Sequence, residues 1–510
     1  MGSAWRLPSV DLSVRLDAGF HAPEYLEIEH RLRASGLRVV PLSAVLNRVF
    51  KGAFYLLASE YTSSGVPFIR ISQFTSGFLD LSDTVFISCA THANQRKTAV
   101  APGHLLFAKG GMYRHCAVVP DSVEDANISQ DVIGAEPANG LDSHYAMTFL
   151  QSKHGRPQLV RWEQGNAQPH LSNEGVKEIL IALPQDADAQ RYIGDKVRQA
   201  ERLRARAQRI EANVAMVHAK YIPLPVGVNF TKRTRRLATR SLTERLDAHF
   251  YPSAVEQYFR QIGGTTRSLG RLSTLVINGQ SQPEAEEGVA QATVANLGRS
   301  FVEGPLRAVK RPMNGTRALA LHDLLLCNAA HNKSYIGRDV TYSQLEGAYP
   351  STEVMVIRVD RAQVPASFIR QYLKTDIGYR QIQSTIRGIT AHSYPSDVKL
   401  IEIPIPPVAD TEREIWFATD DKMLVAGRCA DAAKLLTAVA VALVEHLIDG
   451  RLSEADLIAA QKGLEAGNRD ADRAILQSLR QGDAADAPPL IPDLDGLYAL
   501  LDEPDEGSGP

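Results

Sequence analysis

The chain has 510 residues, 44% hydrophobic and 22% charged, with a formal net charge of −2 and a mean hydropathy of −0.17. That length exceeds what one hydrophobic core serves and predicts two to four globular domains. The longest apolar run, Leu435 to Val444, is far short of a membrane span, and the first residues lack the regions of a secretory signal. Cys89, Cys116, Cys327 and Cys429 form no CxxC pair, which excludes a Cys-rich zinc site and predicts a reducing, cytoplasmic setting.

In chain order, Arg15-Leu16-Asp17-Ala18-Gly19-Phe20 opens the first half, followed by Pro23 and a helical stretch to about Ala34. Short strands follow, at Val66 to Ile71, Leu105 to Ala108 and Ala117 to Val119, separated by Gly-marked turns. The segment Val176 to Pro184 reads as a strand closed by proline. After it comes a long charged helix, Gln190 to Tyr221. Its small and apolar residues include Ile193, Val197, Leu203, Ile210, Val214 and Val217, spaced three and four apart as on a helix facing another helix.

The join at 222–244 holds Pro223, Pro225 and a basic run with Lys232, Arg233, Arg235 and Arg236. Arg245-Leu246-Asp247-Ala248-His249-Phe250 then opens a second half, 230 residues after its first-half counterpart, with Pro252 and a helical stretch to Ile262. Strands are expected at Val289 to Val294, Leu324 to Cys327 and Glu353 to Val359. The proline-closed segment Val398 to Pro406 lies 222 residues after its counterpart. Gly378 and Gly388 lie 223 residues after Gly155 and Gly165. The order of all matches is preserved, so the chain reads as a tandem duplication. A second long helix, Thr411 to Leu447, begins its seam at Ile415 and Lys422 and continues through Ala433, Leu436, Ala440, Leu443 and Leu447. From Ser453 onward 13 acidic residues face 4 basic ones, a balance of −9 that leaves +7 on the preceding body. A short helical stretch to about Arg480 and a solvated, mobile acidic end are expected there.

Two α/β globules, each followed by a long helix, together with GVPFIRISQFTSG (65–77), APGHLLFAKGGMYRHCAVVP (101–120) and GNAQPHLSNEGVKEILIALP (165–184), resemble the specificity (S) subunit of a type I restriction–modification system. The resemblance runs over residues 10–450. It implies a mixed α/β (α+β) fold: two tandem target-recognition domains separated by a two-helix antiparallel coiled coil. The boundaries become 1–185 for the first recognition domain, 186–222 for the first spacer helix, 223–406 for the second domain with its basic linker at 223–244, 407–450 for the second spacer helix, and 451–510 for the acidic extension. It further implies a non-catalytic chain that reads an asymmetric, bipartite site on double-stranded DNA. Two methyltransferase subunits and the restriction/translocase subunits would dock on it. S-adenosylmethionine, ATP and Mg would belong to those partners, with no cofactor or metal in this chain. Two features depart from the family pattern. The loop Gly388-Ile389-Thr390-Ala391-His392 replaces the GNAQP-like loop, and the segment after Gly450 has no counterpart.

A reader of duplex DNA needs cations for phosphates and forked polar side chains for base edges. Lys109, Gly110, Gly111, Tyr113 and Arg114 form a Gly-rich loop between two strands, which a plain hairpin explains as well. Asn166 and Gln168 carry amide forks suited to adenine, or serve a polar loop. Arg70, on an apolar strand, is a DNA contact or half of a buried ion pair. In the second half Asn328, Asn332 and Lys333 occupy one corresponding loop, and Arg387 and His392 another. The run from Lys232 serves as a phosphate contact or a solvated linker. No amino-methyltransferase, GxGxxG, P-loop, HExxH or GxSxG motif occurs. A coiled-coil scaffold binding proteins without DNA, and a nuclease with an unrecognised site, stay open as alternatives.

Overall fold

A computed structural model describes residues 15, 17–53, 56, 58–75, 78–81, 83–110, 115–164, 169–231, 245–313, 318–482 and 487–504. By packing, the chain divides into two compact units, residues 1–203 with 432–510, and residues 204–431. The division falls inside both long helices rather than at their ends.

In the first unit an antiparallel sheet runs in the order Cys116–Val118, Leu105–Ala108, Val132–Pro137, Leu46–Lys51. In the second unit Val340–Tyr342, Leu324–Cys327, Val354–Val359 and Ser273–Asn278 repeat that order. Beside it each unit has a second sheet with one parallel pair, Val66–Ile69 with Ala126–Ile128 and Glu284–Ala292 with Tyr349–Pro350. The central strands Leu105–Ala108 and Leu324–Cys327 are unbroken apolar runs because both their faces are covered. All eight residues are buried. At about 1.5–3 kcal/mol for each large apolar side chain, these strands anchor the two cores.

The repeated hexapeptide is a local hydrogen-bond device. Arg15 Nε donates to Asp17 at 2.7 Å, and Arg245 Nε to Asp247 at 2.7 Å. The same carboxylates accept from the backbone N–H of Phe20 (3.0 Å) and Phe250 (3.1 Å). Each arginine then covers that phenylalanine ring and donates to a distant carbonyl, Glu163 or Thr385. Gly155 and Gly378 also repeat one geometry. A Cβ would lie 2.1 Å from the Phe149 carbonyl oxygen in the first case and 2.2 Å from that of Tyr372 in the second.

The segments before the long helices are not simple strands. Asn173–Glu178 and Pro395–Val398 are helical, and the strands are Leu180–Leu183 and Glu402–Pro404. Buried Gln158 and Gln381 hold these strands alike. Gln158 accepts from Leu180 N–H and donates to its carbonyl, both at 2.9 Å. Gln381 does the same to Glu402, both at 3.0 Å. The strand expected from Val289 begins earlier, at Glu284, and ends at Ala292.

The long helices span Ala187–Ala219 and Asp410–Ile448. The first unit holds the beginning of the first helix and the end of the second; the second unit holds the remaining halves, so the two run antiparallel. Lys196, Gln199 and Leu436 line one small cavity in the first unit. In the second unit Tyr221 donates to Glu412 at 2.7 Å and meets the Trp416 ring edge-on. Ile193, Val197, Leu203, Val214, Ala433, Leu436, Ala440, Leu443 and Leu447 are buried. Ile210 and Val217 are half-buried, and His218 takes the buried place expected of Val217. At the start of the second helix two expected seam positions are one residue out, while Thr419 between them is buried as expected. Ile415 is 56% exposed and Trp416 buried, while Lys422 is exposed and Met423 buried.

The segment after Gly450 is helical toward Arg480 as expected, and residues 487–504 beyond it are folded rather than a mobile end. It forms helices Glu454–Glu465, Asp470–Ser478 and Leu494–Asp502. Asp472, 1% exposed, accepts from Tyr192 Oη at 2.7 Å, Tyr498 Oη at 2.6 Å and Lys196 Nζ. Burial raises the Asp472 carboxyl, but the Lys196 charge and these three donors hold it below its ordinary range.

Candidate nucleic-acid interface

Each unit brings two of the loops singled out by sequence into contact. In the first, Leu171 N–H donates to the Lys109 carbonyl at 2.7 Å, and Lys109 N–H donates to that of Asp131 at 2.8 Å. His170 presses on Gly110 so closely that a Cβ there would lie 2.3 Å from its ring nitrogen. In the second, Ser393 N–H donates to the Asn328 carbonyl at 2.8 Å, and Asn328 N–H to that of Glu353 at 2.9 Å. Ala329 pairs with His392 across a bridge. The two units therefore share one loop junction, with His170 and His392 in corresponding places.

A second pair of turns adjoins the junctions. Arg70 follows the strand Val66–Ile69 rather than lying on it, and opens a short 3-10 turn. Its N–H donates to Gln73 Oε1 at 2.9 Å, just as Thr293 N–H donates to Asn296 Oδ1 at 2.9 Å. Next to each, Ser129 N–H donates to Ile69 and Ser351 N–H to Ala292. In the second unit these parts enclose a cleft of about 570 Å³, walled by Thr293, Gln291, Ser351, Glu353, Ala329 to His331, and Thr390 to His392.

Several of the expected contact residues also have structural duties. Asn328 is buried and donates to the Thr352 carbonyl at 3.0 Å. Asn332 caps a 3-10 turn by accepting from Ser334 N–H at 3.0 Å, and the Lys333 carbonyl accepts from Gln383. Arg387 grips buried Asp397 with Nε and Nη2, and this hydrogen bonding holds the guanidinium above its ordinary pKa. Arg387 and His392 close a turn by exchanging backbone hydrogen bonds at 2.8 and 3.1 Å, with Gly388 at φ 78° supplying the left-handed step. The pairings of Asn328 with Thr352, Lys333 with Gln383 and Arg387 with Asp397 were hidden in the sequence because each partner lies in another element, or ten residues off. Gly111, Tyr113, Arg114, Asn166, Gln168, Lys232, Arg233, Arg235 and Arg236 lie outside the described residues.

Among the described residues no group of three or more His, Cys, Asp or Glu is placed to hold a metal ion, and no helix is long and apolar enough to cross a membrane. Sequence reasoning overlooked Ser129, Thr293, Ser351 and His170, which carry no distinctive pattern and meet only through the sheet.

No family model matches the chain, and no curated protein sequence matches it. Solved structures do. One is a chain of a type I restriction–modification system described for its complex assembly and conformational transition: 18% identity, 82% of this chain, 98% of that one, TM-score 0.29. Another is the S subunit of the type I system of M. genitalium, with 11% identity, 82% and 97% coverage and a TM-score of 0.42. A third is the HsdS subunit of Thermoanaerobacter tengcongensis, with 19% identity, 82% and 97% coverage and a TM-score of 0.28. The likeness is to type I specificity subunits. It spans 82% of this chain.

Proposed function

We propose that the chain is the non-catalytic DNA-recognition subunit of a type I restriction–modification complex, reading an asymmetric, bipartite duplex site. The observation that carries this is the repetition of one loop junction and one flanking turn in two units that share antiparallel helices. A symmetric dimer of one reader takes a palindromic site. Two unlike readers on one chain take two unlike half-sites with an unread gap. Lys109 and Arg70 supply cations at the first junction, and Thr293, His392 and Arg307 line the cleft at the second. Methyltransferase and motor–nuclease subunits, with S-adenosylmethionine, ATP and Mg, would supply the chemistry in the cytoplasm.

The test is selection from randomised DNA duplexes with the full chain and its methyltransferase partner. Enrichment of two short, different sequence blocks at a fixed spacing is expected. Enrichment of no sequence, or of a single palindrome, would overturn the reading.

A further inference from the structure

The two junctions can be overlaid position by position. Ser129 corresponds to Ser351, Asp131 to Glu353, and His170 to His392, through the same backbone hydrogen bonds. The chemistry of these positions is shared. What two unlike half-sites require is a position where it is not. Arg70 and Thr293 are such a pair, each opening the 3-10 turn that adjoins the junction. Thr293 walls the cleft of the second unit.

Arg70 is partly buried, and its Nε has no hydrogen-bond partner. The Tyr61 ring, 6.0 Å from the guanidinium carbon, is the aromatic surface beside it. Because that Nε is shielded from solvent, the groups an incoming acceptor pair would meet are the two Nη amines of the same fork. A paired acceptor edge matching that fork is presented in the major groove by guanine, through O6 and N7. Threonine offers one hydroxyl and one methyl group, and has no fork. The carboxylates of Asp131 and Glu353, exposed in both units, suit amino groups on cytosine or adenine and so do not separate the two half-sites.

We infer that Arg70 and Thr293 are corresponding specificity positions: Arg70 reads a guanine in the half-site of the first unit, and Thr293 leaves the matching position of the other half-site without a guanine requirement. This rests on the DNA-recognition reading above.

The test compares the full chain with Arg70→Thr, Arg70→Lys and Thr293→Arg, each with the methyltransferase partner, by selection from randomised duplexes. In Arg70→Thr, discrimination for guanine at one position of one block should fall by about ten-fold or more. The other block serves as an internal control of folding and should be unchanged. Arg70→Lys keeps the charge and a donor but loses the rigid fork, so its guanine discrimination should fall between that of the unaltered chain and that of Arg70→Thr. Thr293→Arg should add a guanine preference in the second block only. Two intact blocks in Arg70→Thr would overturn the inference while leaving the recognition role standing. Weaker binding in Arg70→Thr with guanine discrimination unchanged in both blocks would assign Arg70 to phosphate and overturn it as well. Failure of the unaltered chain to enrich any block would overturn both.

Discussion

Buried Asp472 shows how much a single carboxylate can organise. Its two oxygens gather a lysine and two tyrosines onto one point, and removing it leaves Lys196, itself buried, as an uncompensated charge. Breaking such a pair costs about 3 kcal/mol or more. In Asp472→Ala the helices at 454–502 should therefore lose hydrogen-exchange protection well before the sheets do. His218 makes a second prediction. It is fully buried, shares a hydrogen bond with Ser367 Oγ at 3.0 Å and meets Phe368 edge-on. Burial pushes its pKa down to about 4, against a smaller upward pull from Asp420. The folded state thus takes up the proton later than the unfolded state. The stability His218 contributes is present above about pH 6.5 and is lost as pH falls toward 4, amounting to about 3 kcal/mol. Urea unfolding of the second unit between pH 7 and 4 should show this loss, and His218→Gln should flatten it. Neither role is visible in the sequence. A histidine one step off a seam and one aspartate of thirteen acidic residues look like solvated positions until the tertiary partners are known.

Elements repeat more faithfully than the residues that decorate them. The hexapeptide was legible because its hydrogen bonds close within six residues. Gly155 and Gly378 were legible as matched positions. Their reason was not, since it is the approach of the preceding helix's carbonyl. Alanine at either glycine should cost about 3 kcal/mol through overpacking, and by a similar amount at both, which thermal unfolding of the two variants can check. Gln158 and Gln381 escaped notice for the opposite reason, because a glutamine in a polar helix reads as surface. The candidate loops were found through their glycines and polar side chains. Their mutual contact depends on strand order, which no local pattern encodes. The end of the acidic extension was misread because its charges find partners outside it, as in Arg469 with Asp502 and Arg473 with Asp495.

At the scale of the molecule, the helices act as the spacer in the proposed recognition. Removing one turn from each, about 5.4 Å, should shift the preferred gap by one or two base pairs. Methylation mapping of the shortened chain would register it, and an unchanged gap would count against the spacer role.

The second unit is one unbroken span of sequence, whereas the first is assembled from both ends of the chain. A ribosome delivers residues 204–431 in full before it releases the helices that lock onto Tyr192 and Lys196. The head made first is therefore finished last. A premature stop near Gly450 would spare the later-made head and leave the earlier one unsealed, so under the proposed recognition role a truncated product would be half a reader, faithful to one block and loose on the other.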